Sequence, residues 1–521
     1  MAAWIDHLAV APILLPLAAS ALMLLFDERR RGAKLAVAML TTIALVGISI
    51  VLVGRAGSAA AIVYAIGGWP APFGITLIVD RLSAMMLALA SVLGLASLIY
   101  ASARWDRGGP RFHALFLLQL MGLNGAFLTG DLFNLFVFFE VLLAASYGLL
   151  LHGSGRARVS AALHYVTINV ATSLLFLVGA SLIYGTTGTL NIADLAIRMP
   201  SVPESDRMLL QSGLAILGVA FLIKAAMWPV GFWLPTTYSA ASPPVAALFA
   251  ILSKVGVYAV LRVLLLGRGG EAADPASIAG QWLQAGGMAT ILFGTIGVLA
   301  SRTLSRLAGF SLIISSGILL ATIAGGGPLA GALFYLVSST LAVGALYLLI
   351  EPIARNEAEP NVAAAADPVF EDEVVHDPDD EGDEVGVVIP ATLAILGGGF
   401  LMCALLLAGL PPLSGFVAKF AIIDGLLDAQ PPIGWARWTL IALIIVSGMA
   451  TIIAASRAGI DLLWASERAP RTLRLAEAAP VGLLLALCLG LTVFAGPAYV
   501  YMEAAARALP GAAGPPPGVA R

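Results

Sequence analysis

Residues 221–262 read FLIKAAMWPVGFWLPTTYSAASPPVAALFAILSKVGVYAVLR. The stretch is apolar for far longer than one globular helix needs, yet it holds Lys224, Lys254 and Arg262 and is cut at Trp228-Pro229 and Ser242-Pro243-Pro244. About 20 apolar residues cross a bilayer as a helix, so it reads as two spans, the first interrupted. Pro229 removes a backbone donor and collides with the preceding turn. In lipid, the carbonyls freed there must be satisfied by protein or by a water-lined cavity. A charge at mid-membrane costs at least about 2.5–3.5 kcal/mol, which makes such residues functional by default.

The rest of the chain has the same character. Of 521 residues 60% are hydrophobic and 11% charged, and the mean hydropathy is +0.96. Soluble domains are about 45–50% apolar and about 25% charged, which excludes a water-soluble enzyme. Long unbroken apolar runs, in place of short alternating segments, exclude an outer-membrane barrel. Fourteen runs of spanning length fall near 8–26, 35–53, 82–101, 112–130, 132–151, 160–184, 208–228, 244–266, 281–300, 307–324, 329–350, 387–410, 438–456 and 477–498. The expected fold is an all-α polytopic membrane protein of about 14 spans, numbered below in that order.

Charge sets the topology. Loops after odd-numbered spans hold sixteen basic residues and the remaining loops and ends hold eight. Short basic loops stay cytoplasmic, which places both termini outside. The net charge of −3 conceals a segment, 355–386, with twelve acids and one arginine. Dense like charge with few bulky apolar residues reads as a disordered cytoplasmic insert. Cys403 and Cys488 lie far apart in apolar runs and read as packing residues. No Walker loop, GxGxxG turn or Cys/His cluster appears, so no cofactor or metal is expected, nor a nucleic-acid partner.

Four basic residues fall inside spans: Lys224, Lys254, Arg262 and Lys419. Glu140 joins them, eight residues into span 5. Burial disfavours a charged form, and a lysine, unlike an arginine, can shed its proton. The lysines and Glu140 therefore read as relay elements, and Arg262 as an interfacial anchor. Span 12 is broken at Gly409-Leu410-Pro411-Pro412-Leu413-Ser414-Gly415, just before Lys419, much as span 7 is broken at Pro229, just after Lys224. Paired interrupted spans point to a transport site and to repeats. The two are five spans apart, and an odd repeat must be inverted. His164, Thr167, Asn169, Thr172 and Ser173 in span 6 either line a hydrated path beside Glu140 or hydrogen-bond between helices. His113 and His152 read as interfacial, and Asp131 as part of the turn between spans 4 and 5.

FEVLLAASYGLLLHG, residues 221–262 and GLPPLSGFVAKF together resemble the antiporter-like subunits shared by respiratory complex I, membrane hydrogenases and Mrp-type (Pha-type) monovalent cation/proton antiporters. APILLPLAASALMLLFDERR is most similar to the D subunits of the Mrp/Pha type. The resemblance implies fourteen helices with inverted five-helix repeats. The expected division is 1–111 for spans 1–3, 112–266 for spans 4–8, 281–456 for spans 9–13, and 477–521 for span 14 and the tail. It also implies that Glu140 pairs with Lys224 and that Lys254 and Lys419 complete a proton path. Many relatives carry a histidine and a lysine in the helix before the insert, where this chain has Ser338 and Ser339. By that comparison the C-terminal half either conducts through hydroxyls and water or is less autonomous.

The function implied is exchange of Na⁺ or K⁺ for protons in a bacterial cytoplasmic membrane, in a complex with sister subunits. Three rivals stand beside it: a pump module of a redox complex, a stand-alone transporter in which Lys224 binds an anionic substrate, and a subunit whose buried charges only set helix register.

Overall fold

The computed structural model describes residues 7–27, 29–58, 61–69, 72–264, 278–355, 391–428, 434–461 and 473–509. The acidic insert expected at 355–386 lies outside the described residues except for Arg355. Among the described residues, twelve helices are long and apolar enough to cross a membrane, and Ala11–Leu24 and Phe112–Leu128 are shorter apolar helices. Together these fourteen lie on the fourteen predicted runs, and the chain is a multi-pass membrane protein.

The spans do not bury equally. Span 8 (Pro243–Val263), span 10 (Leu304–Ala324) and span 11 (Leu329–Arg355) are almost wholly enclosed, and span 3 (Arg81–Ala103) nearly so. Span 2 (Arg31–Ser58), span 7 (Glu204–Lys224) and span 14 (Leu475–Val493) sit at the periphery, where Leu40, Ile50 and Val493 stand exposed. Apolar side chains facing outward are what lipid or partner helices require of a spanning helix. Helix contact relies on small residues. A side chain at Gly287 in span 9 (Ile278–Ala300) would meet Ala321 N at 2.6 Å, and one at Gly317 would meet Ile291 N at 2.8 Å.

Among the described residues, one hairpin departs from an otherwise helical chain. Ile62–Ala65 (β1) pairs antiparallel with Thr76–Val79 (β2), Ile62 opposite Val79. Both strands are rich in β-branched residues, which suit a pleated surface, and they sit in the connection between spans 2 and 3. Some helix starts carry the side-chain caps that their sequence chemistry favours. Asp80 and Ser83 form a reciprocal capping box at span 3, and Asp131 accepts from Asn134 N at 2.9 Å at the start of span 5, Leu132–Leu150.

Among the described residues, spans 7, 12 and 8 are interrupted. Span 7 stops at Lys224, passes through an irregular segment in which Ala226 has φ 58°, and resumes as Trp233–Ala240. Span 12 runs Ala391–Ala408 and resumes as Ser414–Asp428. Both breaks contain their predicted prolines, Pro229 and the Pro411-Pro412 pair. Span 8 is also discontinuous, Pro243–Phe249 followed by Leu252–Leu264. Its break falls just before Lys254 and has no proline to announce it.

Candidate functional site

Each break must account for its backbone groups. At span 7 the Trp233 indole donates to the Ile223 carbonyl at 3.3 Å, and Thr290 Oγ1 of span 9 accepts from Trp228 N at 2.9 Å. At span 12 the last carbonyls of the first half are met by a side chain: Lys419 Nζ donates to Leu407 O at 3.0 Å and to Ala408 O at 2.9 Å. A cation at a helix C-terminus also complements the helix dipole.

The three intramembrane lysines are all buried: Lys224 is 8% exposed, Lys254 0% and Lys419 6%. Their partners differ. Lys254 Nζ donates to Ser315 Oγ of span 10 at 2.8 Å. Lys224 Nζ has no hydrogen-bond partner and lies 5.0 Å from the centroid of the Phe139 ring. Glu140 is the next residue after Phe139, but it makes no hydrogen bond or ion pair with Lys224. Glu140 instead accepts from the Ser173 hydroxyl of span 6 (Arg156–Thr187). The expected pair of Glu140 and Lys224 is therefore not in direct contact, and an aromatic face lies beside the ammonium.

Other predicted residues separate by side of the helix. His164 and Thr167 are exposed and bond the carbonyls of their own helix, Ser160 and Leu163, at 2.9 Å each. They point outward, away from a path beside Glu140, because a 3.6-residue period carries them off the face that holds Ser173. Asn169 is buried and bonds Tyr165 O at 2.8 Å, and Thr172 bonds Ile168 O. Ser338 and Ser339 are buried in span 11 and both bond other helices, Ser414 at 2.8 Å and Ser315 at 2.9 Å.

Arg262 is no loose anchor. It pairs with Asp80 through both terminal nitrogens at 2.5 and 2.7 Å, and its Nε donates to Tyr258 Oη at 2.8 Å. Tyr258 in turn donates to the Phe127 carbonyl at 2.5 Å. The pair ties the end of span 8 to the start of span 3. His113 and His152 are buried, at 4% and 6% exposure, in packed span ends. Cys403 and Cys488 are buried free thiols. No cluster suited to a metal ion occurs among the described residues.

Sequence reasoning passed over Ser315 and Ser414, since a serine in an apolar run most often bonds its own helix. Only the facing helices show otherwise.

Fold and site together define a class: polytopic helical membrane proteins whose interrupted spans hold buried ionisable side chains. The family model described as NADH:quinone oxidoreductase/Mrp antiporter, TM, matches residues 129–367. The D subunit of a probable K⁺/H⁺ antiporter of Rhizobium meliloti (strain 1021) is 52% identical over 521 residues, 97% of this chain and 96% of that one. The D subunit of a Na⁺/H⁺ antiporter of Bacillus subtilis (strain 168) is 32% identical over 97% of each chain. A chain of the Mrp complex from Dietzia sp. DQ12-45-1b superposes with a TM-score of 0.80 at 25% identity, covering 96% of this chain and 97% of that one. The chain belongs to the NADH:quinone oxidoreductase/Mrp antiporter family of membrane subunits, and within it to the D subunits of the Mrp/Pha type.

Proposed function

We propose that this chain is the proton-translocating subunit of a multisubunit Na⁺ or K⁺/proton antiporter, moving protons along Glu140, Lys224, Lys254 and Lys419. The observation that carries the reading is the Lys224 ammonium, buried at the end of an interrupted helix with no hydrogen-bond partner. A buried charge without such a partner is costly, and lysine can give its proton up. Glu140 acts on it from a distance, so moving charge at either residue alters the proton affinity of the other. Lys254 and Lys419 have acceptors and are places where a proton rests. The names of the two D-subunit relatives support exchange of a monovalent cation for protons and support a transporter over an enzyme.

In this proposal the chain sits in a bacterial cytoplasmic membrane with both termini outside, as the bias of basic residues supports. Residues 112–266 and 281–456 form inverted five-helix repeats, each holding one of the two proline-broken spans. Sister subunits complete the assembly. Because buried lysines repel cations, Na⁺ or K⁺ crosses through a partner.

The test uses everted vesicles from an antiporter-deficient strain expressing the whole operon. Collapse of a preformed ΔpH on adding Na⁺ or K⁺ is followed for the parent and for Lys224→Ala assembled to the same level. The parent is expected to respond and the variant to be silent. Undiminished exchange in Lys224→Ala would leave the buried charges with a structural role. An assembled parent complex without any cation response would favour a proton-pumping subunit of a quinone oxidoreductase or membrane hydrogenase, with which the family model is partly shared.

A further inference from the structure

Span 11 crosses the interior between Lys254 and the second proline-broken span with hydroxyls where an ionisable side chain would serve a relay. Ser315, which accepts from Lys254 Nζ at 2.8 Å, is 2.9 Å from Ser339. The neighbouring residue, Ser338, is 2.8 Å from Ser414, the first residue of the helix that carries Lys419. None of the four serines is more than 5% exposed.

Serine and threonine inside helices usually bond a carbonyl one turn back, as Ser311 does to Leu307 O at 2.9 Å and Thr340 to Leu336 O at 2.5 Å. Ser339 keeps only a long contact of this kind, 3.4 Å to Leu336 O. The hydroxyls instead form two pairs, Ser315 with Ser339 between spans 10 and 11 and Ser338 with Ser414 between spans 11 and 12. A hydroxyl accepts and donates at once, so each pair can pass a proton while its members stay neutral.

We propose that Ser315, Ser339, Ser338 and Ser414 are the link that carries protons between Lys254 and Lys419; this rests on the proton-path reading above. In the transfer, an N–H bond of the Lys254 ammonium breaks as an O–H bond forms at Ser315, and Ser315 releases its own hydroxyl proton to Ser339. Ser339 and Ser338 are consecutive on span 11 and face different helices, so a water molecule takes the hydroxyl proton that Ser339 releases and gives one to Ser338, which passes its own to Ser414. Ser414 releases its hydroxyl proton to a second water, which protonates the neutral amine of Lys419 on the same helix. Each serine ends with one hydroxyl proton, and rotation of the hydroxyls resets the line.

The test compares Ser339→Thr with Ser339→Val in the whole complex. The two replacements have nearly the same shape and differ in the hydroxyl. Cation-driven collapse of ΔpH is measured per assembled complex over a range of pH, with Lys224→Ala in parallel. Ser339→Thr is expected to keep the parent rate, and Ser339→Val to lose about 100-fold, the scale of a positioned proton-transfer group. A packing role would make the two variants alike, so equal rates overturn the link. If rates are equal while Lys224→Ala is silent, the serine link alone falls. If Lys224→Ala is also active, the proton path itself falls. Where neither variant at 339 assembles, Ser315→Thr and Ser315→Val put the same question from the other side of the bond.

Discussion

Lys419 Nζ donates to the Ala408 carbonyl at 2.9 Å, reaching back across eleven residues and a proline break to the end of the preceding half-helix. The residue proposed to hold a proton is thus also the donor that satisfies the broken backbone. Its protonation and the geometry of the break are linked, because a neutral amine offers fewer donors to the same carbonyls.

Lys419→Met should therefore have two effects. It leaves the Leu407 and Ala408 carbonyls without their side-chain donor, at a cost of about 1–3 kcal/mol for each group left unsatisfied, and it removes a relay site. Thermal unfolding of the purified complex and cation-driven exchange in vesicles are both expected to decline. A variant with parental melting and parental exchange would contradict both roles.

The pair between Arg262 and Asp80 is expected to be structural. Burial alone would raise the Asp80 carboxyl, but the charge and hydrogen bonds of Arg262, with the Ser83 contacts, outweigh it and hold the group below its ordinary value. A depressed carboxyl contributes stability that is present above about pH 4 and lost as pH falls through the folded-state value. Asp80→Asn should cost about 3–5 kcal/mol by leaving Arg262 unpaired, with exchange per assembled complex unchanged. A chemical-denaturation series read beside transport separates the two. Loss of exchange in fully assembled Asp80→Asn would move the pair into the proton path.

His152 gives a pH dependence of opposite origin. Burial, aided by the charge of Arg158, depresses the imidazole against the raising effect of its bond to the Trp105 carbonyl, which is 2.7 Å long. The unfolded chain then binds the proton more readily than the folded one. Stability is full above about pH 6.5 and falls as pH drops below it. Melting curves between pH 5 and 8, as a difference between parent and His152→Gln, should show that loss in the parent alone. Parallel curves would remove His152 as its source.

Gly256 is the point where span 8 meets the break in span 7. A side chain there would sit 2.4 Å from Ala225 N and 2.7 Å from the Lys224 carbonyl carbon. Gly256→Ala must push two backbones apart, which by the usual scale of overpacking costs about 1–3 kcal/mol. It should also displace Lys224 and lower exchange in complexes that still assemble. Parental exchange would show that the placement of Lys224 tolerates such a shift.

Much of this was legible along the chain because lipid leaves few solutions. A spanning segment must be apolar, helical and about twenty residues long, so the fourteen runs stand out, and Pro229, Pro411 and Pro412 mark their breaks through a missing donor. Lys224, Lys254 and Lys419 stand out for the same reason: a charge is conspicuous where nearly every neighbour is apolar. The hairpin at 62–65 and 76–79 was not visible, being short and set between spans. The break before Lys254 was not visible either, since Ala250-Ile251 has no helix-breaking chemistry.

What the amino-acid order determines by itself is therefore which segments cross, where two of them are cut and which charges are trapped. Tertiary structure alone decides what each trapped group meets. It sets Lys224 over Phe139 and out of contact with Glu140, gives Glu140 to Ser173, ties Arg262 to Asp80, and pairs Ser315 with Ser339 and Ser338 with Ser414. The physical reason is range. Solvation and backbone accounting act on each residue where it stands, whereas a hydrogen bond about 3 Å long exists only once separate helices have been brought into register.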